Sequence, residues 1–207
     1  MSLPAEYYID DNGGSPMMQP KLSILIPSIP ERKEQLEYLL NKLRPISFVR
    51  DYCEIIVDDS KRHDEGGLSV GYKRQALLDK AKGEYIWFLD DDDDFNENMF
   101  NDLKMHMDAY KWDVICAKTL AILNGTPHVI DTSIDYDNEQ IHDGETKRFP
   151  SVMNIYKREV ALRVKFNDKN YGEDFEWSMA LGLQTEVKIN DVWHIYNFDS
   201  VKTVASK

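Results

Sequence analysis

Four short, largely apolar runs at 22–26, 54–57, 85–89 and 114–117 alternate with segments of helical periodicity, and this alternation constrains the fold more than any other feature of the chain. Continuous apolar runs of this length, without polar alternation, read as strands buried on both faces of a sheet. Between the first two, Leu36, Leu39, Leu40 and Leu43 recur at i, i+3, i+4 and i+7, opened by Pro30 and stopped by Pro45. A polar, Gly-containing loop at 60–67 leads to a helix carrying Ala76, Leu77, Leu78 and Ala81 up to Gly83, and a third helix over about 97–110 buries Phe100, Leu103 and Met107. Strand and helix in regular alternation specify an α/β layered domain with a largely parallel sheet.

The second half is less regular. Asn124-Gly125, between apolar stretches at 120–123 and 129–130, is a hairpin signal, and Pro127 places the return strand near an edge. Residues 131–149 are polar and read as a long loop. A strand at 152–156, a short helix near 158–164, a helix over 173–183 closed by Gly182, and strands near 187–189 and 192–198 complete the chain. Residues 1–19, rich in Gly, Pro, Asp and Asn, read as a flexible lead-in, and 20–207 as a single domain.

Charge and cysteine usage bear on partners. With 25 Lys+Arg against 37 Asp+Glu the formal charge is −12. Each phosphate contact needs a Lys or Arg, so duplex nucleic acid is disfavoured as a partner. The two cysteines, Cys53 and Cys116, lie in strand-like stretches and outside any Cys/His cluster, which reads as buried thiols in a cytoplasmic protein rather than a disulfide or a zinc site. No apolar run approaches the ~18 residues that cross a bilayer, and the first twenty residues carry no secretory leader.

The chemistry concentrates at strand ends. Asp90, Asp91, Asp92, Asp93 and Asp94 follow the most apolar strand, where open α/β sheets bind ligands. Adjacent carboxylates repel by about 1 kcal/mol per close pair in water and about 4 kcal/mol at an effective dielectric near 20, so the run needs a counter-charge. A divalent cation, Mg²⁺ or Mn²⁺, supplies one by taking one or two carboxylates together with substrate phosphates; the alternative is a solvated acidic loop. Asp58 and Asp59 end a neighbouring strand and suit a ribose hydroxyl or a base N–H, or else an Asx-type turn. Glu173-Asp174 opens a helix, as a cap or as an acid–base pair. His194, in VWHIYNF, is a hydrogen-bonded core residue or a metal ligand.

Taken together, these motifs resemble the family 2 glycosyltransferases, inverting nucleotide-sugar transferases with the GT-A fold. LSILIP, EIIVDDS, KRQALLDKAKGEY and LDDDD follow one another in the order and spacing of that family's nucleotide-binding half, and the likeness resumes over 150–183. The resemblance implies a mixed, mostly parallel sheet flanked by helices, with 20–117 as the nucleotide- and metal-binding half and 118–207 as the acceptor and catalytic-base half. It implies that Asp59, with Asp58, contacts a nucleoside, usually uridine. It further implies nucleotide contacts from Pro27, Arg74, Asp90 and Asp91, a divalent cation on Asp92 and Asp90 completed by His194, and Asp174 of the Glu173-Asp174 pair as base. The partners implied are a UDP-sugar or related donor and a saccharide or other hydroxyl acceptor. Residues 118–149 would select the acceptor, with Tyr136, Tyr171 and Trp177 as candidate stacking rings.

Three departures stand out: Gln75 replaces the family's usual Asn, no Gly follows Asp58-Asp59, and a Q-x-x-R-W motif is absent, which disfavours a processive membrane synthase. A sugar-phosphate nucleotidylyltransferase is the second enzyme reading, and it would want a glycine-rich loop where Ser28-Ile29-Pro30-Glu31-Arg32 has none. A nucleotide-sugar binding module that keeps the fold without turnover is the third.

Overall fold

The computed structural model describes residues 19–61, 68–109, 111–137, 140–142 and 145–198. The lead-in expected at 1–19 falls outside them except for Gln19, as does most of the 60–67 loop. In chain order the elements are β1 (Leu22–Pro27), a 3₁₀ turn (Pro30–Arg32), α1 (Lys33–Leu43), α2 (Ser47–Tyr52), β2 (Cys53–Asp58), α3 (Val70–Lys80), β3 (Tyr85–Phe88), β4 (Asp94–Phe95) and α4 (Met99–Ala109). There follow β5 (Val114–Leu123), β6 (Thr126–Thr132), β7 (Gln140–His142), β8 (Glu145–Arg148), β9 (Ile155–Lys157), α5 (Arg158–Ala161), α6 (Glu173–Ala180) and β10 (Glu186–Phe198).

The strands form one mixed sheet in the order β2-β1-β3-β9-β5-β6-β8-β7, with β10 pairing β5 and β4. Its longest ladders are parallel: β1 with β2 from Leu22↔Cys53 to Pro27↔Asp58, and β5 with β10 from Glu186↔Val114 to Phe198↔Leu123. Period-2 alternation along β1 and β3 sends side chains to two cores. Leu22, Ile24 and Ile26 with Tyr85 and Trp87 pack against α1, α2 and α4 through Leu39, Leu43, Phe48 and Phe100. Leu25 with Ile86 and Phe88 packs on the other face against Leu77, Leu78, Val160 and Trp177 of α3, α5 and α6. Both faces are covered, which is why these strands read as unbroken apolar runs.

Several boundaries differ from the sequence expectation, each for a physical reason. The helix α2 is six residues long, too short to show periodicity, and it is held by burial of Phe48 and Val49. The expected loop at 131–149 contains β7 and β8; their residues carry no apolar stripe, and pairing of β8 with β6 comes from the backbone ladder. The expected pieces at 114–117 and 120–123 are one strand, β5, whose Lys118 interrupts the apolar run without ending the strand. The pieces at 187–189 and 192–198 are likewise one strand with register shifts between Lys188 and Val192 and between Val192 and His194. The hairpin is as expected, with Asn124 and Gly125 at φ 49° and 82°, the left-handed geometry that favours Asn-Gly in a two-residue turn.

One close approach joins the start of α3 to the loop before α6. A Cβ on Gly71 would stand 1.9 Å from the backbone oxygen of Asn167, so only glycine lets the start of α3 approach the loop that enters α6. Four hydrogen bonds hold that approach: Gly71 N to Lys169 O at 3.1 Å, Val70 N to Asn170 Oδ1 at 3.0 Å, Phe166 N to Gln75 Oε1 at 2.9 Å, and Ser69 Oγ to Asp168. Gln75, a departure from the family pattern, is therefore a brace for this loop.

Candidate active site

The parallel ladders bring the carboxyl ends of β1, β2 and β3 to one edge of the sheet, and the predicted site residues gather there. Asp58 ends β2, and its Oδ1 accepts from Ser60 N at 3.1 Å and Ser60 Oγ at 2.6 Å, which is the Asx-type turn of the second reading. Pro27 ends β1, beside Asp58 in register. Lys73, 3% exposed, donates from Nζ to Ser28 O at 2.6 Å and to Ser60 O, tying together the turns after β1 and β2. Burial lowers the Lys73 pKa against the opposing pull of Asp58, Asp91, Asp59 and Glu31. The role of this lysine is not legible in the sequence, since a buried Lys has no periodic signature of its own.

Every aspartate of the acidic run has a cationic or histidine partner, and Asp91 and Asp92 share one. Asp90 accepts from Arg74 Nη2 through both carboxylate oxygens, at 3.2 and 3.0 Å. Asp91, 3% exposed, accepts from Ser28 Oγ at 2.6 Å and Arg32 Nη1 at 2.8 Å. The same Arg32 Nη1 lies 2.9 Å from Asp92 Oδ2. Asp93, 6% exposed, meets His194 Nε2 at 2.8 Å and accepts from Asn197 N at 3.1 Å. Asp94 pairs with Lys42 at 2.5 Å. The counter-charge that the run requires thus comes in large part from the chain's own basic residues.

Arg74 joins this edge to α6. Its Nη1 donates to Glu173 while Nη2 holds Asp90, and Arg74 and Glu173 are 5% and 3% exposed. Burial alone would pull Arg74 down, but Asp90, Glu173 and Asp174 outweigh it and hold its pKa above the ordinary arginine value. Burial raises the Glu173 carboxyl despite Arg74. Asp174, the next residue, is half-buried in the first turn of α6, after Gly172 in the left-handed conformation at φ 68°. One guanidinium therefore brings Glu173-Asp174 against the aspartate run across most of the fold.

A divalent cation of the kind the resemblance implies has one well-suited ligand here. Burial pushes the Asp92 carboxyl up to about 7, with repulsion from Asp93, Asp90 and Asp91 adding to it against the pull of Arg32. Its side chain remains 29% exposed, so it combines under-compensated charge with access, and fits an ion held by one carboxylate and completed by ligand oxygens. His194 instead meets the run at Asp93, and its Nδ1 is buried with no hydrogen-bond partner. Among the described residues no three His, Cys, Asp or Glu side chains form a metal-binding group, so Asp90, Asp92 and His194 are not assembled into an all-protein cage. No described helix is long and apolar enough to cross a membrane. Of the candidate stacking rings, Trp177 is 1% exposed and belongs to the core, whereas Tyr171 is 60% exposed. Tyr136 is occupied by its hydrogen bond to Asp131 and by Lys147 and Lys188 over its ring.

The buried carboxyls have a measurable consequence. Asp91, Asp93 and Glu173 are raised by burial, as is Asp92, so each binds a proton more readily in the folded than in the unfolded chain. Their contribution to stability is complete at acid pH and is lost as pH rises through the window that ends, for Asp92, near 7. In EDTA-containing buffer the melting temperature is expected to fall between about pH 5 and about pH 7, and Asp92→Asn to flatten that slope. A melting temperature that climbs across the interval in both proteins contradicts the assignment.

Residues 60–164 match the sequence model described as Glycosyl transferase family 2. No functionally curated protein matches the sequence. Among solved structures, the fold is similar to that of S. aureus TarS 1–349, with TM-score 0.61 and 17% identity over 86% of this chain and 60% of that one. The same protein in complex with UDP gives 0.61 and 17% over 87% and 61%, and in complex with UDP-GlcNAc 0.56 and 16% over 86% and 59%. The chain spans about three-fifths of the length of these structures.

Proposed function

The chain belongs to glycosyl transferase family 2, and from that premise we propose that it moves a sugar from a nucleoside diphosphate donor, UDP-linked for preference, to an acceptor hydroxyl with inversion at the anomeric carbon. The observation that carries this reading is the Arg74 bridge. It ties Glu173, the neighbour of Asp174, to Asp90 of the aspartate run, which supports a base and a diphosphate-binding edge at one site. Asp58 and Asp59, with Pro27, take the nucleoside. Asp90 and Asp91 work through Arg74 and Arg32, shaping the edge that the diphosphate meets. Glu173 is committed to Arg74, which leaves Asp174 to accept the acceptor's proton as its oxygen attacks the face opposite the leaving group.

Asp92 would hold the divalent cation, Mn²⁺ or Mg²⁺, whose chemistry is to neutralise charge on the leaving diphosphate. TarS has been crystallised with UDP and with UDP-GlcNAc, which supports UDP as the first donor nucleotide to test. The exposed Tyr171, beside Glu173-Asp174 in sequence, is the best-placed ring for a saccharide acceptor.

Thermal-shift measurement with UDP-, GDP-, CMP- and dTDP-sugars, with and without Mn²⁺, tests the reading. A ligand at a hundred times its Kd stabilises by about 2.7 kcal/mol, or about 5–10 °C for a chain of this size. The largest shift is expected with a UDP-sugar plus Mn²⁺, and the absence of any shift with every nucleotide sugar and metal together sinks it.

A further inference from the structure

We propose that Arg32 and the divalent cation are alternative counter-ions for Asp92, so that Arg32 occupies the cation's carboxylate until the metal displaces it. The inference rests on the cation placed at Asp92 above, and the geometry of one side chain carries it. Arg32 Nη1 makes two ion pairs, 2.8 Å to Asp91 Oδ1 and 2.9 Å to Asp92 Oδ2. These two partners are unequal. The Asp91 side chain is 1% exposed and its second oxygen is held by Ser28, so it is a fixed anchor, whereas Asp92 is 29% exposed and open to exchange. Arg32 can therefore release Asp92 without leaving the site.

Simultaneous occupancy is disfavoured by charge. A Mg²⁺–oxygen bond is about 2.0–2.1 Å, and an ion on Asp92 would stand beside a guanidinium already at hydrogen-bond distance from the same carboxylate. Their like charges repel in a partly buried setting where screening is weak. The apparent metal affinity is then reduced by the fraction of molecules in which Arg32 covers Asp92. Arg32 closes the 3₁₀ turn and stands immediately before α1, so releasing Asp92 asks for a movement of its side chain alone.

The test is calorimetric titration of Mn²⁺ into the full chain without donor, for wild type, Arg32→Gln and Arg32→Lys. The Gln variant keeps a hydrogen-bond donor for Asp91 but carries no charge. It is expected to bind Mn²⁺ about tenfold more tightly than wild type, with the Lys variant close to wild type. Equal or weaker Mn²⁺ binding by Arg32→Gln overturns the proposal, as does an absence of Mn²⁺ binding in all three. An independent readout in wild type is the NMR resonance of the Arg32 Nε–H, which should move when Mg²⁺ saturates the protein; an unmoved resonance also overturns it. UDP binding in Mn²⁺-saturated buffer separates the two readings. If wild type binds UDP but Arg32→Gln gains no Mn²⁺ affinity, the competition fails and the transferase reading stands. If UDP binds to none of them while Arg32→Gln gains Mn²⁺ affinity, the transferase reading fails and the competition stands.

Discussion

Asp174→Asn is expected to lower the turnover of sugar transfer by about 10²- to 10⁴-fold, the usual contribution of a positioned general base, while leaving UDP affinity unchanged. Its effect should fall on kcat and kcat/KM alike, because the amide fills the same space and loses only the capacity to accept a proton in the transition state. Two features of the structure support choosing Asp174 over Glu173. Glu173 is 3% exposed and bonded to Arg74, so its lone pairs serve the bridge, whereas Asp174 is half-buried at the open start of α6. Transfer assays on the Asn variant with UDP binding measured in parallel decide the matter: full turnover removes Asp174 from the mechanism. Glu173→Gln should act differently, weakening the bridge and lowering stability first.

Arg74→Met should be the most damaging single change to the fold of the site. It leaves the Glu173 carboxylate buried without its cation, and breaking one partner from a buried ion pair costs about 3–5 kcal/mol. For a chain of this size that is a fall of about 6–20 °C in melting temperature. Asp90, with 34% of its side chain exposed, can recover water and adds less. Combining Arg74→Met with Glu173→Gln should restore much of the loss, because the stranded charge is then gone as well. Thermal melts of the two single variants and the double variant give the coupling directly. Additive losses would mean that Arg74 and Glu173 do not stabilise one another.

The five aspartates show what sequence reasoning can and cannot reach. Their mutual repulsion is legible in the primary structure, and so is the need for compensation. The identity of the compensator is not. Arg32, Lys42, Arg74 and His194 lie 59, 52, 16 and 101 residues from the aspartates they bond, and no local pattern foretells such pairs. From the run alone a divalent cation is the economical counter-charge. In the folded chain Asp92 is the member whose carboxyl burial and three acidic neighbours push up to about 7 against the pull of Arg32. In the sequence Arg32 belongs to a turn that lacks glycine, and Gln75 is a departure from a family pattern. Both acquire a role through what lies across from them: Asp91 and Asp92 for one, the backbone of Phe166 for the other.

The alternation of buried strands and helices in the first half was determined locally. An apolar run flanked by turn residues can satisfy its backbone and bury both faces in few ways, and β1, β2 and β3 follow with the α/β class. The Asn-Gly hairpin is local for the same reason, since its backbone geometry is set by the two residues themselves. Tertiary structure decided what depends on neighbours distant in sequence: the docking of polar β8 on β6, the union of two expected strands into the bulged β10, and the approach of α3 to the α6 loop through Gly71. It also decided the electrostatics of the site. Local conformation depends on adjacent residues, but counter-charge and burial depend on whatever the fold brings within a few ångströms. The chain's excess of acid is legible in the sequence; only the fold determines which of those carboxylates is already neutralised and which stays open to solvent.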